Sequence, residues 1–177
     1  MLITSKSTQE VLDILERTNP GKKQLTMQKP ILYFDMDGVL VDFGSALRKQ
    51  TPETLEEYKD HEDDIPGIFS QMEPLEGAID AVHQLAEKYD CYILSTAPWN
   101  NPSSWADKVK WVTDNLDDVF HKKIILTHQK NLLNDGKAIL IDDRTKHGAD
   151  EFGDRHIYFR TDPRFPDWQS VVAYLMK

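Results

Sequence analysis

Two aspartates and a glycine directly follow the first strongly apolar run of the chain. The run spans residues 31–34, and Asp35, Asp37 and Gly38 come next. Alternate residues of extended backbone point to the same side, so both carboxylates can face one spot, and glycine permits a sharp turn after them. Two neighbouring carboxylates repel each other unless a cation lies between them. Their oxygens suit Mg²⁺, so the sequence predicts a magnesium site, with a helix-capping aspartate turn as the alternative.

A second acidic pair follows a later apolar run. Asp142 and Asp143 come directly after residues 138–141. In an open α/β sheet, ligands bind outside the carboxyl ends of the strands, so both acidic pairs are expected at one edge. Acids that merely close turns would have to occur at both strand ends by coincidence. The second pair therefore favours the metal site over the capping turn.

Two more polar residues follow the apolar runs that lie between these acidic pairs. Thr96 follows residues 91–95, where its hydroxyl could donate to a phosphate oxygen or cap a helix. Lys130 lies just beyond residues 123–127, where its ammonium could offset the acids and bind phosphate, or simply lie at the surface. Four strand ends would thus present two acids, a hydroxyl, a lysine and two further acids.

The elements that must position these residues alternate between short apolar runs and helical spacing. The runs are continuous, which is typical of strands that are buried on both faces. Between them, apolar residues recur at helical intervals, as in the stripe Trp105, Val109, Val112 and Leu116. This alternation predicts an α/β fold with a doubly wound, Rossmann-like parallel sheet of about five strands. The predicted strands are 31–34, 91–95, 123–127, 138–141 and 156–160.

One acidic segment interrupts the alternation of strands and helices. Residues 43–74 carry no strand signal and favour helices, so we expect a small helical cap inserted after the first strand, or else a solvated helix pair without function. The core would then consist of residues 30–42 and 75–177. Residues 1–29 are expected to form an appendage with a short helix over residues 7–17 and a polar linker, and a homodimer could form through that helix.

The composition excludes several classes of protein. The chain has 177 residues, with 30 acidic and 21 basic side chains and a net charge of −9, so no nucleic acid polymer is expected as a partner. Cys91 is the only cysteine, which excludes an intrachain disulfide and a zinc cluster. No apolar run approaches the roughly 20 residues of a membrane-spanning helix, so we expect no membrane partner and a cytoplasmic location.

The four polar motifs at the predicted strand ends, in their order along the chain, resemble those of the haloacid dehalogenase-like superfamily, namely DxDG, a Ser or Thr, a Lys and a late acidic pair. A narrower resemblance is to the 5'(3')-deoxyribonucleotidase family, the cytosolic type C 5'-nucleotidases, and it covers residues 30–177. It rests on DMDGVLVDF at 35–43, MEPLEGAIDA at 72–81, IILTHQK at 124–130 and LIDDR at 140–144, with Trp168 near the end.

This resemblance implies a phosphatase that hydrolyses nucleoside monophosphates through an aspartyl-phosphate intermediate. Asp35 would attack the phosphorus, which divides one difficult step into two. Asp37 would protonate the leaving alcohol and later take a proton from the attacking water. Thr96 and Lys130 would hold the phosphoryl oxygens.

The resemblance also implies Mg²⁺ as the cofactor. The ion would be held by Asp35, by the backbone carbonyl of Asp37 and by Asp142, and it would stabilise the transition state. Asp143 would orient metal-bound water or Lys130 from behind these ligands.

The cap and the loop after the second strand are expected to select the substrate. Phe43, Phe69 and Trp99 are candidate contacts, because an aromatic ring can stack on a nucleobase, by analogy worth roughly 1–3 kcal/mol, although the two phenylalanines could also be plain core residues. Ala97 and His128 are also candidate substrate contacts, at positions where the animal enzymes of the family have a serine and an arginine. These differences and the shorter cap keep a sugar phosphate or another small phosphomonoester as an alternative substrate. A non-catalytic binding module on the same fold is the second alternative.

Overall fold

A five-stranded parallel sheet forms the centre of the computed structural model, which describes residues 28–177. The helix expected at 7–17, and a dimer through it, lie outside the described residues. The predicted α/β fold with a parallel sheet is confirmed, and each predicted strand is present to within two residues at its ends. The strands are β1 (Ile31–Phe34), β2 (Asp90–Ser95), β3 (Ile124–Leu126), β4 (Ile139–Asp142) and β5 (His156–Tyr158), in the spatial order β3-β2-β1-β4-β5.

The central strand β1 has a parallel strand on each side, and the register of these strands brings two aspartates together. Phe34 is in register with Ile93 of β2 on one side and with Ile141 of β4 on the other. The amide of Asp35 then donates to the carbonyl of Ile141 at 2.9 Å. Asp35 and Asp142 therefore lie side by side at the carboxyl edge of the sheet, where the chain order reverses and α/β proteins bind ligands.

The two faces of the sheet are covered differently. Leu32 and Phe34 belong to a large apolar cluster under three helices, whereas Tyr33 points to the opposite face and a smaller cluster. The three helices are α3 (Ala78–Lys88), α4 (Ser103–Phe120) and α5 (Trp168–Leu175), and short 3₁₀ segments at Lys130–Leu133 and Asp150–Arg155 contribute to the second face. Among residues 28–177, no helix combines the length and the apolar character needed to span a membrane.

The inward face of α4 differs from the predicted stripe. Val109 is 43% exposed, so its assignment to the core is wrong. Lys108 and Ser104 point inward instead, and their polar side chains conceal the true stripe from a search for apolar spacing. The buried residues of α4 are Ser104, Lys108, Trp111, Val112, Leu116 and Phe120.

Residues 43–74, the segment interpreted as a cap, form short helices over the carboxyl edge of the sheet. They include α1 (Phe43–Leu47), α2 (Pro52–Glu57) and two 3₁₀ segments. A feature that the sequence analysis did not predict joins the two ends of the cap. Val41–Asp42 pairs with Glu73–Pro74 in a two-residue antiparallel ladder, so the chain leaves and re-enters the core at one place.

The cap is fastened to the core by hydrogen bonds from buried side chains. The amide nitrogen of Asn101 donates to the carbonyls of Asp63 and Ile65 at 2.8 and 3.0 Å. The indole nitrogen of Trp111 donates to the carbonyl of Met72 at 2.8 Å. Since these donors lie on α4 and on the loop before it, the position of the cap depends on that part of the core.

Trp168 connects the last helix to the turn that follows β1. Its ring packs against Phe34 and Phe159, with centroids 6.0 and 4.8 Å away. Its Nε1 donates to the carbonyl of Val39 at 3.1 Å, and the side chain is almost fully buried. The turn that carries the acids is therefore supported from below by α5.

We expect Trp168→Phe to lower the free energy of unfolding by about 1–3 kcal/mol, because the buried carbonyl of Val39 loses its donor. Urea denaturation measures the change. Tyr174→Phe on the same helix is the matched control, since Tyr174 is half exposed, and it should change the free energy by less than about 0.5 kcal/mol. Equal effects of the two substitutions would contradict this role of Trp168.

Candidate active site

The turn after β1 is built on one carbonyl and one glycine. The carbonyl of Met36 accepts hydrogen bonds from three successive amides, those of residues 39–41, at 2.8 to 3.2 Å. Gly38 has a φ of +73°, in the left-handed region that favours glycine. The tight loop holds Asp35 and Asp37 at the edge of the sheet.

Lys130 lies between the acids that follow β1 and β4. Its Nζ donates to Oδ2 of Asp142 at 2.5 Å and lies 3.1 Å from Oδ1 of Asp35. Its own amide donates to the carbonyl of His147 at 2.7 Å, so the loop after β4 fixes its backbone. The structure therefore brings three of the predicted site residues into direct contact.

Asp143 lies directly against the glycine of the turn. A Cβ at Gly38 would come within 2.8 Å of Cγ of Asp143 and overlap its carboxylate. One carboxylate oxygen from each of Asp35, Asp142 and Asp143 lies within 4.8 Å of the other two. Gly38 is thus needed both for the turn and for the close approach of the second acidic pair.

Carboxylate oxygens that accept no hydrogen bond show where a cation fits. Within residues 28–177, the buried Oδ1 atoms of Asp35, Asp37 and Asp143 have no hydrogen-bond partner. Both oxygens of Asp142 are engaged, Oδ2 by Lys130 and Oδ1 by the backbone amide of residue 144 at 2.9 Å. Buried carboxylate oxygens without partners are costly, and a hard divalent cation such as Mg²⁺ is the group that would satisfy them.

The acids of the site differ in their pKa values. Burial and the neighbouring Asp35 raise the pKa of Asp142 to about 6, although Lys130 opposes the change. Burial likewise raises the pKa of Asp143. Burial alone would raise the pKa of Asp35 too, but Lys130 and Lys108 outweigh it, and the pKa is lowered. Asp35 is therefore ionised at neutral pH. Lys130 pairs with Asp142 and Arg144 lies 3.5 Å from Asp143, so the negative charge that a cation would offset is that of the four carboxylates together.

Lys108 belongs to this site, and the sequence analysis did not identify it. Its side chain is fully buried, with Nζ 2.5 Å from Oδ2 of Asp37 and 3.2 Å from Oγ of Ser95. The only signal in the sequence is its helical spacing from Ser104 and Trp111, which are also buried. That spacing does not distinguish a buried lysine from a surface lysine.

Thr96 and Ala97 occupy different positions in the structure. Thr96 lines the cavity above the acids, and its hydroxyl donates to the carbonyl of Thr127 at 2.9 Å. A phosphate oxygen would have to compete with that carbonyl for the hydroxyl proton. Ala97 is fully buried and is not part of the cavity wall.

A cavity of about 690 Å³ opens above the acidic centre. Its wall brings together residues from the strand ends, the cap and the loop after β2. The predicted site residues in this wall are Asp35, Asp37, Phe43, Phe69, Thr96, Trp99, His128, Lys130, Asp142 and Asp143. The cavity is therefore large enough to hold a small phosphomonoester together with its leaving group.

Aromatic side chains form two parts of the cavity wall. The rings of Phe43 and Phe69 lie 5.5 Å apart on the cap side, and Phe69 is almost fully buried. Trp99 and His128 lie on the core side with ring centroids 5.8 Å apart. Trp99 is 79% exposed, an unusual state for a tryptophan and one that leaves its face free for a ligand.

Basic side chains also line the cavity, although the chain as a whole is acidic. Arg144, Lys146 and Arg160 contribute to the wall together with His147. The same wall also holds acids besides those of the centre, namely Asp42, Glu62 and Asp63. The positive charge is therefore local, and these basic groups could attract the phosphate of an ester to their part of the wall.

Comparison with known proteins shows which family the chain is similar to. A family profile described as 5' nucleotidase, deoxy (pyrimidine), cytosolic type C protein matches residues 47–165. A protein of Vibrio phage KVP40, provisionally assigned as a 5'(3')-deoxyribonucleotidase, is 53% identical over 147 residues, which cover 83% of this chain and 85% of the relative. The human cytosolic-type 5'(3')-deoxyribonucleotidase is 32% identical over 148 residues, with 66% of this chain and 72% of the human protein covered.

Solved structures share the fold of this chain. The provisionally assigned haloacid dehalogenase-type hydrolase YfnB of Bacillus subtilis, described as bound to magnesium, matches with a TM-score of 0.58 and 13% identity, covering 84% of this chain and 99% of that one. A haloacid dehalogenase-like hydrolase of Xanthomonas campestris matches with a TM-score of 0.55 and 13% identity, covering 84% and 96%. These matches confirm the predicted fold.

We expect Gly38→Ala to weaken Mg²⁺ binding at least about tenfold, because its methyl group displaces the carboxylate of Asp143. Isothermal titration calorimetry measures the affinity. Gly136→Ala is the matched control, since Gly136 also has a positive φ, +79°, but has open space where its Cβ would lie. If both variants bind Mg²⁺ equally well, the cation does not depend on Asp143.

Proposed function

Because the chain belongs to the cytosolic type C 5'-nucleotidase family, and so is a phosphoric monoester hydrolase, we propose that it hydrolyses nucleoside monophosphates, deoxyribonucleotides above all. One observation supports this proposal most strongly. Asp35, Asp37, Lys130 and Asp143 converge at one edge of the sheet, beneath a cavity that has aromatic walls and basic residues. A cytoplasmic location agrees with the cytosolic type of the human relative.

Asp35 is the proposed nucleophile. Its lowered pKa keeps it ionised, and its Oδ1, which accepts no hydrogen bond, belongs to a residue of the cavity wall. Attack on the phosphorus forms an aspartyl-phosphate and releases the nucleoside oxygen. Lys130, 3.1 Å from the same oxygen, would neutralise the charge of the phosphoryl group as the new bond forms.

Asp37 is the proposed general acid and base. Its side chain is 15% exposed and lines the cavity, and its Oδ1 has no hydrogen-bond partner within residues 28–177. It would give a proton to the leaving oxygen as the phosphorus–oxygen bond breaks. It would then take a proton from the water that hydrolyses the aspartyl-phosphate.

Mg²⁺ is the proposed cofactor, and the free oxygens suggest which residues would hold it. Asp35, Asp143 and the backbone carbonyl of Asp37 would be its ligands, and when bound it would offset the negative charge of nucleophile and substrate. Asp142, which the sequence analysis assigned to the metal, has both oxygens engaged and would mainly orient Lys130. Asp143 and Asp142 would thus exchange the roles that the sequence suggested.

The aromatic walls would bind the nucleoside part of the substrate. Trp99 offers an exposed ring and His128 a partly buried one at the core side, and Phe43 and Phe69 close the cap side. Stacking of a base on one aromatic ring is worth roughly 1–3 kcal/mol. Thr96 would contribute to the phosphate end of the same cavity if its hydroxyl turned away from Thr127.

Phosphate release from a panel of substrates tests the proposed function. The panel contains 5'- and 3'-deoxyribonucleotides, ribonucleotides and sugar phosphates, each with Mg²⁺ or with EDTA. We expect dUMP or dTMP to react fastest, and EDTA to abolish the activity. Asp35→Asn should lower it by at least about 1000-fold because the nucleophile is lost, whereas Asp80→Asn, an exposed aspartate on α3, should not.

Two other outcomes of the substrate panel would contradict part or all of the proposed function. If a sugar phosphate reacts fastest and Asp35 is still required, the reaction is correct but the substrate is not. If no phosphomonoester is cleaved, the chain is a binding module on the same fold and the proposed function is wrong.

Trp99→Ala tests the proposed stacking at the core side of the cavity. We expect KM for dTMP to rise by about 5- to 100-fold, the equivalent of roughly 1–3 kcal/mol, with kcat within about threefold. Trp99→Phe, which keeps a ring, should retain most of the affinity. KM for 2-deoxyribose 5-phosphate should not change, because that substrate has no base. A parallel rise in KM for both substrates would exclude stacking.

A further inference from the structure

Lys108 is a buried cation that has no role in the proposed reaction described above. It lies on α4, is fully buried and does not line the cavity, so it cannot touch a substrate there. A lysine without exposure is rare unless it is paired, because removing its charge from water is costly. The partners of its ammonium group therefore indicate what the residue does.

The ammonium group of Lys108 has three neighbours. It donates to Oδ2 of Asp37 at 2.5 Å and to Oγ of Ser95 at 3.2 Å. The ring of Phe69 lies over it, 4.9 Å from Nζ to the centroid. These contacts join a core helix, the turn after β1, the end of β2 and the cap at one buried atom.

The contact with Asp37 involves only one of its two carboxylate oxygens. Oδ2 is bound by Lys108, whereas Oδ1 has no hydrogen-bond partner within the described part of the chain. Rotation of the carboxylate would break the hydrogen bond of a buried ammonium, which costs more than breaking a surface pair. The contact thus fixes the rotamer of Asp37, whose Oδ1 is itself buried.

We propose that Lys108 is a positioning residue of the phosphatase reaction, which holds the carboxyl group of Asp37 in the orientation from which it delivers the proton to the leaving oxygen of the substrate. This inference rests on the proposed function of Asp37 as general acid. In the first step Asp35 bonds to phosphorus, the bond to the leaving oxygen breaks, and that oxygen takes the proton from Asp37. Lys108 neither touches the substrate nor gives up a proton in this scheme.

The dependence on the leaving group distinguishes positioning from a merely structural role. Alkoxide leaving groups, as in dTMP, need a proton, whereas p-nitrophenolate leaves without one. We expect Lys108→Met to lower kcat for dTMP by about 100-fold, with KM within about threefold. The rate of the first turnover of p-nitrophenyl phosphate, read as the burst of p-nitrophenol, should fall by less than about fivefold.

A double-mutant cycle shows whether Lys108 acts through Asp37. In an Asp37→Asn background, Lys108→Met should cost less than about a further threefold with dTMP, because the residue that it positions is already lost. Lys110→Met is the matched control on the same helix, since Lys110 is 65% exposed and pairs with Asp114 on the surface. Lys110→Met should leave the rates with dTMP and with p-nitrophenyl phosphate unchanged. Lys108→Gln keeps a donor and replaces the methionine variant if that protein does not fold.

The outcomes separate this inference from the function on which it rests. Equal losses with dTMP and in the p-nitrophenol burst, or fully additive effects in the cycle, would overturn the positioning role while leaving the phosphatase intact. If the wild-type protein prefers a sugar phosphate, the same cycle is run with that alkyl ester. A wild-type protein that cleaves neither class of ester would overturn the proposed function, and the role of Lys108 with it.

Discussion

Four carboxylates meet at one edge of the sheet, and the fold has to offset their mutual repulsion. Asp35 and Asp142 follow neighbouring strands, so the register of those strands leaves them no freedom to separate. Lys130 lies between these two, and Lys108 lies behind Asp37. Each lysine is buried only because an acid pairs with it, and the acids approach each other only because of the lysines. Arg144 lies 3.5 Å from Asp143, so four carboxylates face three cations, and the negative charge that remains suits a divalent cation.

The rest of the fold holds this arrangement in place. Gly38 makes room for Asp143, and the turn around it is supported by a hydrogen bond from α5. The cap is tied down as well, since the amide of Gly67 donates to Oγ of Ser103 at 2.9 Å, next to the bonds from Asn101. Such fixed supports are what allow charged groups to act without reorganisation during the reaction.

The sequence was sufficient for the fold and for the acids because polar residues stood out at the ends of continuous apolar runs. It was insufficient where packing decides the role of a residue. Lys108 and Lys110 have the same side chain two positions apart, yet one is fully buried and the other is exposed. Whether Asp142 or Asp143 has a free oxygen depends on which of them Lys130 reaches, and no local pattern records that contact.

Different segments of the chain supply the reacting groups and the groups that would select the substrate, but Phe69 is linked to both. The strand ends supply the groups that would act on the phosphoryl group, and the cap supplies part of the wall for the leaving group. Phe69 belongs to the cap, contacts Phe43 in that wall and also covers the ammonium of Lys108. Its ring shields the ion pair of Lys108 and Asp37 from water, which strengthens that pair. The wall of the pocket and the support of the proposed general acid are therefore one packing unit.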